Sequence, residues 1–487
     1  MKDIYQIKNI LRELIEKDLS ENLVDIKALP ASGSSRIYFR IYTDRNTYIA
    51  TYSPNVEENV AFFVFTEHFK KSNLPVPTLL SVSHDNTCYI QSDFGDVSLF
   101  HLVQDCLKDS YFDKNTIRLY KEALDNLIDF QIKGNKNLDY SIAYPTPIFD
   151  RQSVIDDLNY FKYYFLKLND EIIFNETRLN NDFQVFADHI MQAPNDFFMY
   201  RDFQSRNIMI KDNHTYFIDY QGGRKGPLQY DIVSLLYQVK AQLPQSLRDE
   251  LLSHYKQKLA SVVDIKEIRF DDYYQSFVLL RLMQVLGAYG YRGLIQKKQH
   301  FLSSIPYALR EITSLNKALN LPLEIKELSS VLSQLDNLIK KYEHSEDDIL
   351  TITINSFSYK NGGVPTDMSG NGGGFVFDCR ALPNPGRYQE YKELTGLDKE
   401  VQDFLEDKGE CSVFFEAAEN IVCQSVDNYI ERHFNSLSVN FGCTGGQHRS
   451  VFFAHKMAKT LHKKYPMIKV VENHVVQHKN FIHKANK

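Results

Sequence analysis

Tryptophan is missing from the 487-residue sequence, and its six cysteines form no CxxC pair. No stretch approaches the ~18 uncharged apolar residues that a membrane-crossing helix needs. The cysteine spacing excludes a zinc ribbon, and scattered thiols fit a reducing compartment, so a cytoplasmic location is expected. The formal charge of −6 is small for this length, which excludes a chain that attracts nucleic acid over its whole surface and leaves only a local basic face for that task. The opening stretch reads as an amphipathic helix with Ile4, Ile7, Leu11 and Leu14 on one face. It lacks the continuous apolar core and cleavage site of a signal peptide, so neither export nor a membrane partner is expected.

What is present is an ordinary globular composition, 43% hydrophobic and 24% charged, with 30 Tyr and 33 Phe supplying the aromatic character. Single cores stop growing near roughly 250–300 residues, so more than one domain is required. Residues 23–95 are strand-rich, with β-prone runs at Ile37–Tyr42 and Thr47–Tyr52 and a helix-like stretch at Asn59–Phe69. Helical periodicity then dominates 97–340, as in Leu119, Ala123, Leu124, Leu127 and Ile128, broken by a hairpin-like insert at 197–219. The acidic stretch Tyr342–Asp348 precedes another β-prone run, Leu350–Ile354, and reads as a linker. The expected architecture is an α+β bilobal domain over 1–345, with a β lobe to about 95, followed by an α/β domain over 346–487. The glycines of Gly370–Gly374 suit a loop; their spacing is not that of a dinucleotide fingerprint.

The segment Tyr200-Arg-Asp-Phe-Gln-Ser-Arg-Asn207 carries the chemistry of phosphoryl transfer, with Asp219 closing the strand that follows. Such a reaction needs a carboxylate to orient and deprotonate a hydroxyl, here Asp202, and an amide and a carboxylate to hold Mg²⁺ on ATP, here Asn207 and Asp219. Taken alone, Asp-x4-Asn in a loop is an Asx-capped turn. Its company argues otherwise. Ser32, Gly33, Ser34, Ser35 and Arg36 lie between two strands, where small residues let N–H groups approach phosphate. Asp93, in Gln91-Ser-Asp-Phe-Gly-Asp96, falls at the expected adenine-lining hinge.

These motifs, with Gln221-Gly-Gly-Arg-Lys-Gly-Pro-Leu-Gln-Tyr-Asp231, resemble the aminoglycoside/choline-kinase-like phosphotransferases, and within them the anomeric N-acetylmuramate and N-acetylglucosamine kinases. The resemblance implies a protein-kinase-like fold and a small-molecule sugar substrate, with Arg206 and Asp231 organising the loop. Two positions depart from the pattern. Tyr200 stands for the usual His, and Thr51 occupies the place of the phosphate-pairing Lys, a charge that Arg36 or Arg40 would have to replace.

In the last domain a strand-like run leads into Gly442-Cys-Thr-Gly-Gly-Gln-His-Arg-Ser450 and then a helix. Small residues at a helix N-terminus, followed by Arg449, make an anion-binding pattern. It is also Cys-x5-Arg-Ser, in which Cys443 would be a phosphatase nucleophile, although no general acid accompanies it. Together with Ser358-Tyr-Lys-Asn-Gly362, Phe377-Asp-Cys-Arg-Ala-Leu-Pro-Asn-Pro385 and Thr395-Gly-Leu-Asp398, the loop resembles the C-terminal domain of the RapZ RNase-adapter family. That resemblance implies a phosphosugar partner held by the loop, from Cys443 through Thr444, Gly445, Gly446, Gln447 and His448 to Arg449. Lys360, Asp378, Arg380 and Asn384 would line the rest of the pocket. Gln447 replaces a frequent Lys. The Lys- and His-rich tail from His455 onward adds RNA as a candidate partner. The leading expectation is an ATP-dependent amino-sugar kinase with a phosphosugar-binding regulatory domain; an RNA-binding adapter with a vestigial kinase domain and a bifunctional kinase/phosphatase are the alternatives.

Overall fold

The computed structural model describes residues 2–29, 36–296, 298–318, 321, 323–342, 350–367, 374–431 and 434–483. Ser32, Gly33, Ser34, Ser35, nearly all of the Tyr342–Asp348 linker and all but the last glycine of Gly370–Gly374 lie outside them. The chain divides into two compact units, Met1–Ile295 with Ser304–Lys340, and Gln296–Ser303 with Lys341–Lys487. No helix among the described residues is long and apolar enough to cross a membrane.

The first unit begins with α1 (Ile4–Leu14), whose Asp3 side chain accepts the Gln6 N–H in a capping box. Its apolar stripe buries Ile7 and Leu11 against an antiparallel sheet of order β1-β2-β3-β5-β4: β1 (Leu23–Ala28), β2 (Ile37–Thr43), β3 (Thr47–Tyr52), β4 (Leu79–Val82) and β5 (Cys88–Ser92). Between β3 and β4 runs α2 (Val56–Lys71), capped by Asn55. Alternation places Phe39, Ile41, Ala50 and Ile90 in this small core.

Helices form the rest of the unit: α3 (Leu99–Lys108), α4 (Lys114–Ile132), α5 (Arg151–Tyr164), α6 (Glu176–Ile190), α7 (Leu228–Leu236), α8 (Gln245–Ala260), α9 (Phe270–Tyr289), α10 (Ile305–Ala318) and α11 (Lys326–Gln334). Four short strands interrupt them: β6 (Phe197–Met199), β7 (Ile208–Lys211), β8 (His214–Phe217) and β9 (Arg224–Gly226). The insert at 197–219 is not one hairpin. β7 pairs with β8, while β6 pairs with β9 beyond them, Phe198 facing Lys225.

The second unit is an α/β domain with sheet order β11-β12-β10-β13-β14, formed by β10 (Thr351–Ser358), β11 (Gly374–Asp378), β12 (Ser436–Cys443), β13 (Lys469–His474) and β14 (Lys479–His483). All its pairings are parallel except that of β14 with β13. Its helices include α12 (Lys399–Glu406), α13 (Gly409–Glu431) and α14 (Arg449–Lys464). The buried run Ile352, Ile354, Val439, Phe441 and Val470 packs on Phe453, Met457 and Leu461. All six cysteines are free and buried.

Helix α9 lies very close to α5 through Gly287 and Gly290. A Cβ on Gly287 would sit 2.7 Å from the Tyr160 carbonyl carbon, and one on Gly290 would sit 1.8 Å from the Tyr164 carbonyl oxygen. Backbone cannot yield as a flexible side chain does. Gly290→Ala should therefore destabilise this unit by about 1–3 kcal/mol through overpacking, read as a lower urea midpoint with an unchanged slope.

Candidate functional site

Two sites emerge, one in each unit. In the first, the chain leaves β6 and donates the N–H groups of Tyr200 and Arg201 to Asp231 at 2.7 and 2.9 Å. Asp231 stands in the first turn of α7 with no exposed surface. Burial pushes its carboxyl up to about 7, against the pull of the two N–H groups and of the Arg281 charge. Arg201 itself sits at φ +77, unfavourable for a side chain with a Cβ. Its guanidinium grips both oxygens of Asp157 on α5, at 3.1 and 2.9 Å, beneath the Tyr230 ring.

This anchored turn brings the three expected residues together. The Asn207 side-chain NH₂ donates to the Asp202 carbonyl at 2.9 Å and to Asp219 Oδ2 at 3.1 Å. Asp219, at φ +70, also accepts from Gln221 at 2.8 Å. Burial and then the neighbouring Asp202 charge raise its pKa, while Gln221, Arg36 and Arg206 pull it back. Crowded negative charge beside an amide oxygen is a donor set that fits a hard divalent cation. Mg²⁺ held by Asn207 and Asp219 would bring a nucleotide's phosphates to this end of the loop. Asp202, half exposed and free of backbone duties for its carboxylate, faces Arg281 at 4.0 Å.

The departures noted in the sequence have structural answers. Tyr200 is buried and donates its hydroxyl to the Ile218 carbonyl at 2.7 Å, fixing the residue before Asp219. Thr51 is buried on β3, paired with Tyr38 of β2. Arg36, two residues before Tyr38, ion-pairs with Glu58 of α2 at 3.1 Å and donates to Tyr89 at 2.8 Å, within electrostatic reach of Asp219. Arg40 serves elsewhere: it binds Asp93 at 2.8 Å and Asp96 at 2.6 Å. The Asp93 carboxylate, expected at an adenine, is thus engaged by Arg40 and by the Gly95 N–H. Arg206 donates to Gln204 at 2.8 Å.

Sequence reasoning missed Asp157 and Arg281. Arg281 is buried in α9 and donates to Tyr230 at 3.1 Å. Its signal was a lone Arg within the apolar run Phe277-Val-Leu-Leu-Arg-Leu-Met283.

In the second unit the loop 444–448 joins the carboxyl end of β12 to the N-terminus of α14. Ser358 at the end of β10 donates its hydroxyl to the Thr444 carbonyl at 2.8 Å. Gly446 has φ +72, and a Cβ there would meet Val476 at 2.5 Å. Cys443 is buried; its sulfur accepts the Gly446 N–H at 3.2 Å and lies 3.1 Å from Ser450 Oγ. Arg449 is buried, and its Nη1 donates to the carbonyls of Arg380 and Leu382 at 2.7 and 2.9 Å. Its Nε is buried, with no partner among the described residues. The guanidinium edge carrying that nitrogen is the edge that can grip two oxygens.

The side chains of Gln447 and His448 are engaged with backbone carbonyls. Gln447 donates to the Lys392 and Leu394 carbonyls, both at 2.8 Å, and His448 bonds the Tyr391 carbonyl at 2.8 Å, so both secure the 391–394 loop. At the rim, Asp378 and Arg380 pair at 2.6 Å, with Arg380 lying 3.9 Å over the Tyr359 ring. Asn384 accepts the Gly386 N–H at 3.3 Å, and Lys360 is exposed.

Comparison with known proteins gives two domain matches. Residues 350–479 match the family model described as the RapZ C-terminal domain, and residues 163–264 match that of the phosphotransferase enzyme family. A nucleotide-binding protein of Lactobacillus acidophilus is 34% identical over 35% of this chain and 56% of its own length. Another, from Thermotoga neapolitana, is 28% identical over 48% of this chain and 86% of its own length. The chain spans about half the length of several such curated relatives. An ethanolamine kinase structure from Plasmodium vivax aligns at TM-score 0.44 and 14% identity, over 60% of this chain and 82% of that one. The expected amino-sugar kinase with a phosphosugar-binding domain is overturned: the curated relatives are named nucleotide-binding proteins and share RapZ-type sequence.

Removing Asp157 from the Asp157–Arg201 pair leaves a mostly buried guanidinium without its ion-pair partner. Asp157→Ala should cost about 3–5 kcal/mol, seen as an early thermal unfolding step. Asp157→Glu should recover part of the loss. An unchanged melting curve for Asp157→Ala would show that the pair does not hold the loop.

Proposed function

We propose that this chain, which joins a phosphotransferase-family kinase-like unit to a RapZ C-terminal domain, is a regulatory adapter that binds RNA through its second unit and holds a nucleotide in its first. The observation that carries this reading is Arg449: a buried guanidinium at a helix N-terminus, with Nε unpartnered among the described residues beside a loop of small residues. A guanidinium edge left without an acceptor in a buried position calls for an anion, and a phosphodiester offers two oxygens to it. The basic residues of α14 agree. Lys456, Lys459 and Lys463 recur at helical spacing on one face, with Lys464 beside them. Phosphates bound along such a face make RNA binding salt-dependent.

In the first unit nucleotide binding is supported by Asn207, Asp219 and Arg36, with Mg²⁺ and ATP as the ligands. Arg36 takes the place of the missing lysine on β3, and its pairing with Glu58 ties any phosphate it touches to the position of α2. A nucleotide held this way serves the adapter as a signal.

Two measurements test the reading on the full chain. Arg449→Lys keeps the charge but loses the two-nitrogen edge; affinity for a small structured RNA should fall about tenfold to hundredfold. Replacing Lys459 and Lys463 with Ala should flatten the logarithmic salt dependence of RNA binding by about 0.7 to 0.9 for each phosphate no longer neutralised. RNA binding indifferent to both changes would remove the adapter reading. For the nucleotide, Arg36→Ala should weaken Mg-ATP binding in calorimetry by about tenfold to hundredfold, while Arg40→Ala should leave it near the wild-type value.

A further inference from the structure

A second cluster in the RapZ-type unit belongs to neither site. Glu472, on β13, has no exposed surface, and its carboxylate is surrounded by imidazoles. His455 Nδ1 and His474 Nε2 both lie 2.8 Å from Oε1, and His483 Nε2 lies 3.3 Å from Oε2. The ligand atoms of His455, Glu472 and His474 all fall within 4.8 Å of one another. These residues come from three elements: His455 from α14, Glu472 and His474 from β13, His483 from β14.

We propose that His455, Glu472, His474 and His483 form a site for a divalent transition metal of the zinc class. Charge is the first argument. Among the described residues the hydrogen-bond partners of Glu472 are these three imidazoles, with no Lys or Arg, and a buried carboxylate without a permanent countercharge is costly. A dication supplies that charge. Ligand chemistry is the second: imidazole nitrogens with one carboxylate suit zinc and its neighbours, whereas Mg²⁺ and Ca²⁺ prefer oxygen.

The surroundings supply the rest. The other ring nitrogen of His474 lies 2.9 Å from the Ser356 hydroxyl, which fixes which nitrogen faces the carboxylate, as outer partners of metal-bound histidines do. Phe481 packs edge-on to His474 at 6.0 Å between centroids and shields it. His462 lies 5.3 Å from His483, ring to ring, and its Nδ1 is buried without a partner among the described residues. Bound metal would staple β14 and β13 to α14, the helix whose first residue is Arg449.

The test uses the full chain, stripped with a chelator and then exposed to Zn(II) or Co(II) alone. Elemental analysis should find one metal per chain, and Co(II) should give the visible absorption of a nitrogen- and oxygen-ligated site. Ser356→Ala should weaken binding about tenfold to hundredfold; Glu472→Gln and His455→Gln should weaken it further. If Glu472→Gln fails to fold, His483→Ala, at a partly exposed position, carries the same test. A folded wild-type chain that retains no metal overturns the proposal, as does metal binding unchanged in Glu472→Gln and His483→Ala.

Discussion

The loop that carries Asp202 and Asn207 in the kinase-like unit is anchored by one buried carboxylate. Asp231 accepts two backbone N–H groups where the chain turns out of β6, and without them Arg201 would have no reason to hold φ +77. Left-handed backbone at a residue with a Cβ costs on the order of 1–3 kcal/mol. Charge-assisted hydrogen bonds contribute about 1.5–3 kcal/mol each, so the pair offsets the strain. The position of Asp231 in the first turn of α7 helps, since a helix N-terminus favours negative charge. From this fixed turn Asp202 emerges, Asn207 reaches back to the Asp202 carbonyl, and Asp219 is drawn to Asn207.

Residues whose roles depend on near neighbours were legible in the sequence. Asp202, Asn207 and Asp219 share one short segment, so spacing alone indicated that they meet. The β2 and β3 runs, the helix near Asn59 and the α/β character of the C-terminal domain were legible for the same reason, through local periodicity. What escaped was long-range. Asp157 and Arg281 lie 44 and 80 positions from Arg201, and only the packing of α5 and α9 brings them in. The insert at 197–219 read as one hairpin because both flanks are β-prone; β6 pairs with β9 because the chain returns to it after Asp219. Gln447 and His448 carry groups equally suited to phosphate or to carbonyl oxygens. Only the fold shows that the carbonyls of 391–394 lie within reach.

The missing lysine is a question of sheet geometry. Thr51 faces Tyr38 across the β2–β3 ladder, and Arg36 is two residues from Tyr38, hence on the same side of the sheet. A diagonal step on an antiparallel face is roughly 7–8 Å, a distance an arginine side chain covers. A positive charge therefore stands just before β2, beside the position of Thr51, paired with Glu58 of α2 and within the field of Asp219.

Both units fix a loop with a single buried charge whose partners are backbone groups, and in each the charge is imperfectly matched. Asp231 holds its loop through N–H groups, and next door burial and then the Asp202 charge raise the pKa of Asp219. Arg449 holds the 380–382 turn through two carbonyls, and the imbalance is its own Nε. Neutral dipoles can position an ion without cancelling its charge. The Glu472 cluster follows the same rule with imidazoles in place of peptide groups, which orient the carboxylate and leave its charge to be met by a metal.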